Sequence, residues 1–354
     1  MHKHMSSSKP QQQGVALIIV LLVVAIVAVV AMSLSERLQT SVLRTANLQQ
    51  AEQGHWYWVS AETIVRDLLQ TELVEDDFTA HLQQEWALQS SSGQRYPVEG
   101  GDIQGVIKDQ HSCFNVNSMR LPEDQQGLLE RRKTQFRMLL MAVLEDGDQY
   151  TIDTIVDSTV DWLDEDQNLV SSYGAEDADY ESREFPYRTG NTYLAEYSEL
   201  RLIRGVTPQI YQVMKPYLCM WPNNAKWTLN PNTVPENRPE LLYAATLGAM
   251  TVDDAQSFLN SRPEEGYEST ENLRNDSAMS RAESNQIRPE FGGNVRPDAT
   301  VVSQLGGALD DLSVKSQYFE VTAQINFGDL TLRGRSFLLI GEEQTRVLYR
   351  SIGD

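Results

Sequence analysis

The first hydrophobic block of the chain is unbroken. Residues 15 to 32, VALIIVLLVVAIVAVVAM, are consecutive nonpolar residues without a charge. At the rise of an α-helix such a run covers most of a bilayer's hydrocarbon core, and Leu34 extends it. From Ser33 to Thr71 there is no proline, and only Gly54 interrupts good helix formers. Leu38, Val42, Trp58, Val65 and Leu69 fall near one face of a helical period. The pattern predicts one helix of about 55 residues, roughly 80 Å long, apolar all round in its first half and amphipathic in its second.

Past that helix the periodicity changes. ELVEDDFTAHLQQE and QSSSGQ read as a polar connection with a short helix, and Arg95-Tyr96-Pro97 opens an extended stretch. Val98, Ile103, Val106 and Ile107, punctuated by Gly100-Gly101 and Gly105, predict short strands and turns. Near the other end the alternation is clear. Phe319, Val321, Ala323, Ile325 and Phe327 share one face, Gly328-Asp329 is the predicted turn, and Leu330 and Leu332 begin a return strand. RVLYRSI adds a last strand. Residues 118 to 290 between these pieces read as helical, in the segments GLLERRKTQFRMLLMAVL, TIVDSTVDWLD, SELRLIRGVTPQIYQVMKPYL and PELLYAATLGAMTVDDAQSFLN. Residues 275 to 297, rich in Asn, Arg, Glu, Ser and Gly, are expected to form a flexible return. The simplest assembly of these elements is a small sheet packed on the long helix, with an all-helical domain inserted within the sheet.

Composition narrows the function. The 354 residues carry 50 acidic against 29 basic side chains, a formal charge of −21. A surface that negative repels phosphate backbones and suits hard cations that take carboxylate oxygens. The two cysteines, Cys113 and Cys219, are expected to be free in a reducing compartment and bridged in an oxidising one. The flanks of the apolar run set that compartment. Lys3 and Lys9 lie upstream, with His2 and His4, whereas Glu36 precedes Arg37 downstream, which keeps the N-terminus cytoplasmic and sends the rest across.

Three readings of the N-terminus are consistent with those flanks. A cleaved secretory signal needs small residues after the apolar run, and Ala28-Val29-Val30 and Ala31-Met32-Ser33 match only loosely. A plain signal anchor is the second. The third places processing before the run, at Gly14-Val15, and leaves the hydrophobic helix on the mature chain. QQQG followed directly by the apolar run resembles the leader of type IV pilins and type II secretion pseudopilins, and the helix continuing far beyond the membrane agrees with it. Most members of that superfamily carry Glu at the fifth mature position; here that position is Ile19, so this subunit cannot offer a neighbour the carboxylate that neutralises its terminal amine. With the chain's length, that absence makes it similar to the K-type minor pseudopilins of the type II secretion pathway.

The one chemically pointed segment is DWLDEDQNLVSSYGAEDADYE, residues 161 to 181. Asp164, Asp166 and Asn168 alternate as in the start of a calcium loop. Glu176 lies one residue too far for an EF-hand, and Leu169 replaces its glycine. A looser oxygen cage from Asp164, Asp166, Asn168, Glu176, Asp177 and Asp179 is one reading of these residues; a solvated acidic loop is the other. The resemblance implies calcium, because K-type pseudopilins bind it at a segment of this kind. No His or Cys accompanies the carboxylates, which disfavours transition metals. Residues 228 to 273 resemble helix-hairpin-helix modules, but Asp253-Asp254 stand where phosphate would approach, so the segment is read as scaffold and nucleic acid is excluded. No nucleophile–base arrangement, phosphate loop or zinc-spaced cluster is present, and the chain is not expected to be an enzyme.

The expected fold is therefore α+β: a pilin-like N-terminal helix on a small antiparallel sheet, with a large helical domain inserted in the sheet region. The expected division is a leader at 1–14, a transmembrane helix at 15–34, the spine and first strands at 35–117, the helical domain at 118–297 and closing strands at 298–354. The resemblance implies cleavage after Gly14 by a prepilin peptidase with methylation of Val15. It also implies a single-pass inner-membrane location with a periplasmic body, and in that oxidising compartment Cys113 and Cys219 are expected to be bridged rather than two separate buried thiols. The implied partners are minor pseudopilins I and J, the inner-membrane platform, and either the secretin or exoproteins. A membrane-tethered calcium-binding protein that never assembles is the competing expectation.

Overall fold

The computed structural model describes residues 13–144, 147–285, 287–288, 304–327 and 330–353. Helix α1, Gln13–Glu75, runs for 63 residues, about 95 Å at the standard rise. Residues 15 to 50 are exposed along their whole length, Leu38 and Val42 included. The predicted apolar stripe is buried only from Trp58 onward, through Leu69 and Leu73, because the sheet begins there. Gly54 marks the start of the contact. A Cβ at this position would stand 2.3 Å from Leu332 Cδ1 and 3.1 Å from the Phe327 ring, so a larger residue would have to displace the Leu332 side chain.

After the short helix α2, Glu85–Ser91, the strands are β1 Tyr96–Val98, β2 Gly101–Asp109, β3 Phe114–Asn115, β4 Leu218–Cys219, β5 Tyr318–Phe327, β6 Leu330–Leu339 and β7 Arg346–Ile352. Five of them form one antiparallel sheet in the order β1-β2-β5-β6-β7. β2 and β5 pair without a slip from Gly101↔Phe327 to Asp109↔Phe319. The chain thus leaves the sheet after Asp109 and re-enters beside its exit at Tyr318, the topology of a domain inserted within a sheet. Asp109 ties exit to entry: its carboxylate accepts from His111 N (2.8 Å), Thr233 Oγ1 (2.6 Å) and Ser316 Oγ (2.6 Å). The predicted turn at Gly328-Asp329 lies outside the described residues.

The alternation read in the sequence puts Phe319, Val321, Ala323, Ile325 and Phe327 against α1, with Ile103, Ile107 and Leu338. Polar contacts fix the register of helix on sheet. Glu62, almost fully buried, accepts from Arg350 Nε (2.6 Å), Arg350 Nη2 (2.7 Å) and Ser336 Oγ (2.5 Å). Hydrogen bonds to Arg350 and Ser336 hold the Glu62 carboxyl below its ordinary range even though burial opposes them. Gln70 Nε2 donates to Gly341 O at 2.7 Å and Arg66 Nη2 to Thr345 O at 2.8 Å.

The insert contains α3 Gln126–Val143, α4 Gln149–Leu163, α5 Asp177–Glu181, α6 Pro208–Met214, α7 Glu240–Ala245, α8 Val252–Ser261, α9 Thr270–Asn275 and α10 Ser277–Ser284. SELRLIRGVTPQIYQVMKPYL is not one helix. It is a short 3-10 turn, a break at Gly205 (φ +88°) packed on Ile155, and then α6, capped by Thr207. The start of the expected flexible return, residues 275 to 297, instead forms α10, because Met279 and Ala282 are buried in the core; residues 289–303 lie outside the described residues. The helical core also reaches past the expected boundary at 297. Leu305, Ala308, Leu309, Leu312 and Val314 belong to it, and buried Asp311 accepts from Arg131 Nε (2.5 Å), Arg132 Nη2 (2.7 Å) and Gln135 Nε2 (2.8 Å). In the helix-hairpin-helix-like stretch, Asp254 accepts from Thr251 Oγ1 at the start of α8, so its own carboxylate occupies the place an incoming phosphate would need. At the base of the insert β3 and β4 pair in parallel, and Cys113 is bonded to Cys219 across a Cα separation of 5.7 Å.

Candidate metal centre and membrane spine

The acidic segment is organised by the end of α4. Asp161 lies in its last turn and Asp164 is its C-cap, so the i, i+3 spacing puts both carboxylates on one side of the helix. Carboxylates there are doubly unfavourable, because the C-terminal carbonyls present the negative end of the helix dipole. The chain then loops out through exposed Asp166 and Asn168 and returns at Gly174-Ala175-Glu176, all three buried. One oxygen each from Asp161, Asp164 and Glu176 falls within 4.8 Å of the others.

This cluster is underbonded. Asp161 Oδ1 accepts from Val170 N at 2.9 Å, but Asp161 Oδ2, Asp164 Oδ1 and both Glu176 oxygens are buried without a hydrogen-bond partner. Burial raises all three carboxyls, Asp161 to about 6, Asp164 to about 7 and Glu176 to about 8, and neighbouring carboxylates add to it: Asp157 for Asp161, Asp166 and Asp161 for Asp164, and Asp161 and Asp164 for Glu176. Gly174 closes the cage from behind: a Cβ there would lie 1.9 Å from Asp161 Oδ2. Four orphaned oxygens and no nitrogen or sulfur donor form a set that fits a hard divalent cation such as calcium.

The six residues read from the sequence separate. Asp164 and Glu176 belong to the cluster. Asp166 stays exposed, its Oδ1 accepting from Asn168 N at 2.6 Å, while its charge helps raise Asp164 and Glu176. Asn168 is exposed. Asp177 is engaged elsewhere: its Oδ1 accepts from Thr189 N (2.9 Å) and Oγ1 (2.7 Å), which keep its carboxyl low. Asp179 accepts from Glu176 N at 3.2 Å and faces Arg204 at 3.8 Å. Asp161 takes their place; the signal for it was the DWLD spacing on a helix. Trp162, beside the cluster, packs edge-on against Tyr180 with ring centroids 5.4 Å apart.

At the other end of the molecule, α1 is the one described helix long and apolar enough to cross a membrane. The expected cleavage point lies at its first turn, and residues 1–12 of the expected leader lie outside the described residues. A family model described as type II secretion system protein K matches residues 112–223, and a second with the same description matches 229–292. The protein K of Aeromonas hydrophila is 33% identical over 349 residues, 97% of each chain, and that of Pectobacterium carotovorum 32% identical over 348 residues, 98% of each. The fold is similar to a chain in the crystal structure of the GspK-GspI-GspJ complex from enterotoxigenic Escherichia coli, with a TM-score of 0.71 and 27% identity, covering 88% of this chain and 99% of that one. The relatives bear the name of a secretion-system component and not of an enzyme, and this chain belongs to the type II secretion system protein K family.

Proposed function

We propose that this chain is a minor pseudopilin that caps the tip of the periplasmic pseudopilus in complex with minor pseudopilins I and J, supporting export of folded proteins across the outer membrane. The observation that carries the reading is the division of α1. Its first part, residues 15 to 50, is exposed all round, and the part from Trp58 onward is fixed to the sheet through Glu62, Arg66 and Gln70. A helix left open over that length needs other helices or lipid around it. The body on top carries an insert from residue 110 to 317, which would collide with itself if repeated along a tightly wound filament and is tolerated once at the end. Ile19 in place of the usual acidic residue fits a subunit with no successor to neutralise.

In this reading a prepilin peptidase cuts after Gly14 and methylates Val15. The span then lies in the inner membrane against the secretion platform, and the body faces the periplasm, where the secretin or exoproteins meet the helical domain. A calcium ion held by Asp161, Asp164 and Glu176 would supply the positive charge these buried carboxylates lack, locking the loop onto α4. Co-expression of the full chain with its cognate I and J pseudopilins, followed by affinity purification in detergent, tests the assembly. A stable ternary complex is expected; a chain recovered alone would favour the tethered calcium-binding protein that does not assemble.

A further inference from the structure

An open cleft of about 460 Å³ lies between the outer face of the sheet and the helical domain, and none of the clustered carboxylates lines it. Three cations reach it from three elements: Lys108 from β2, Lys215 just after α6, and Arg238 just before α7. In a chain of net charge −21 this convergence runs against the composition. Among the described residues none of the three forms an ion pair within 4 Å. Arg238 Nη1 donates to Pro216 O at 2.8 Å, and Lys215 Nζ stands 5.7 Å and 5.6 Å from the centroids of the Tyr197 and Tyr211 rings. Burial pulls the Lys108 ammonium below its ordinary range; its cross-strand partner Glu320 opposes that shift and Arg238 adds to it.

Two acids face these three cations, so one positive charge is left over: Asp109 already accepts three hydrogen bonds, as described above, and Glu320, the cross-strand partner of Lys108, also faces Arg335 at 3.8 Å. The walls are apolar: Leu82 and Val106 are 37% and 46% exposed, and Pro216 and Pro235 line the cleft with them. Charged groups converging on a hollow of this size with an apolar wall are the mark of a ligand site. A bare inorganic anion would use the cations and leave the apolar wall in water.

We propose that this cleft binds an acidic peptide segment of another protein, with a carboxylate set among Lys108, Lys215 and Arg238 and a neighbouring apolar side chain against Leu82 and Val106. The inference stands apart from the calcium site and from the tip assignment. The test is calorimetric titration of the full chain in detergent micelles with N-acetyl-Leu-Glu-amide, N-acetyl-Leu-Gln-amide and inorganic phosphate. The Glu peptide is expected to bind roughly tenfold more tightly than its Gln counterpart, the scale of one charge-assisted hydrogen bond. Lys108→Met and Arg238→Gln should each reduce that preference by a similar factor. Arg238 lies in a loop outside the sheet, so its variant decides the matter if Lys108→Met does not fold. Equal binding of the two peptides, no binding of either at millimolar concentration, or phosphate binding as tightly as the Glu peptide would each overturn the proposal.

Discussion

Replacing Asp161 by Asn separates the two consequences of the carboxylate cluster, its internal repulsion and its affinity for a cation. Asn Oδ1 can still accept from Val170 N, so the loop keeps its hydrogen bond while one charge of the cluster is lost. The folded-state values, about 6, 7 and 8 for Asp161, Asp164 and Glu176, all exceed those of the unfolded chain. The native protein therefore binds more protons than the unfolded one from about pH 4 upward, and linkage makes stability fall as pH rises through those values. In EDTA the wild-type stability should drop between pH 5 and pH 8, by an amount on the order of several kcal/mol. Calcium should cancel that loss. At a hundred times its dissociation constant it adds about 2.7 kcal/mol, which for a helical domain of roughly 200 residues raises the midpoint by roughly 5–10 °C. Asp161→Asn should melt in EDTA at pH 8 at or above the wild-type temperature, yet gain nothing from calcium. Differential scanning calorimetry at the two pH values supplies the comparison, and terbium luminescence sensitised through Trp162 reports occupancy independently. Identical wild-type melting in calcium and EDTA at pH 8, or an Asp161→Asn protein still stabilised by calcium, would refute the reasoning.

Other consequences are as direct. Glu62→Ala removes the charged bond between spine and sheet and strands the buried Ser336 hydroxyl, so urea unfolding should register a loss of about 2–3 kcal/mol; because its carboxyl is held low, the wild-type contribution should be present at neutral pH and fade as acid protonates it. The Cys113–Cys219 bond spans 106 residues and by the chain-entropy argument contributes up to roughly 4–5 kcal/mol; mass spectrometry without reductant should count no free thiols, and Cys219→Ser should lower the midpoint sharply. N-terminal sequencing of the chain from membranes should begin at Val15, and a start beyond residue 32 would remove the anchor on which the assembly depends.

How much of this was legible beforehand varied with the range of the interaction involved. The spine and the β5–β6 hairpin were visible because their periods are local: an uninterrupted apolar run, and Phe319 to Ile325 alternating with polar partners. The break near Gly205 was harder, since the segment has good helix formers on both sides and only packing against Ile155 fixes the turn. The reach of the helical core to Val314 depends on Asp311 meeting Arg131 and Arg132, residues far apart in sequence, which no local pattern reveals. In the acidic loop, composition singled out residues 161 to 181, and the fold gathers only Asp161, Asp164 and Glu176 of its acids into one cluster. Asp177 and Asp179 find partners in Thr189, Glu176 and Arg204, whereas Asp161 looked like an ordinary helix residue until the fold removed its solvent.

The central claim is that one copy of this chain sits at the end of a filament. Pseudopili purified from cells making the chain at native level, labelled with an antibody against the helical domain and imaged by electron microscopy, test it most directly. Label confined to a single end of each filament is the predicted result; label distributed along the length, or filaments of normal form that carry none, would contradict it.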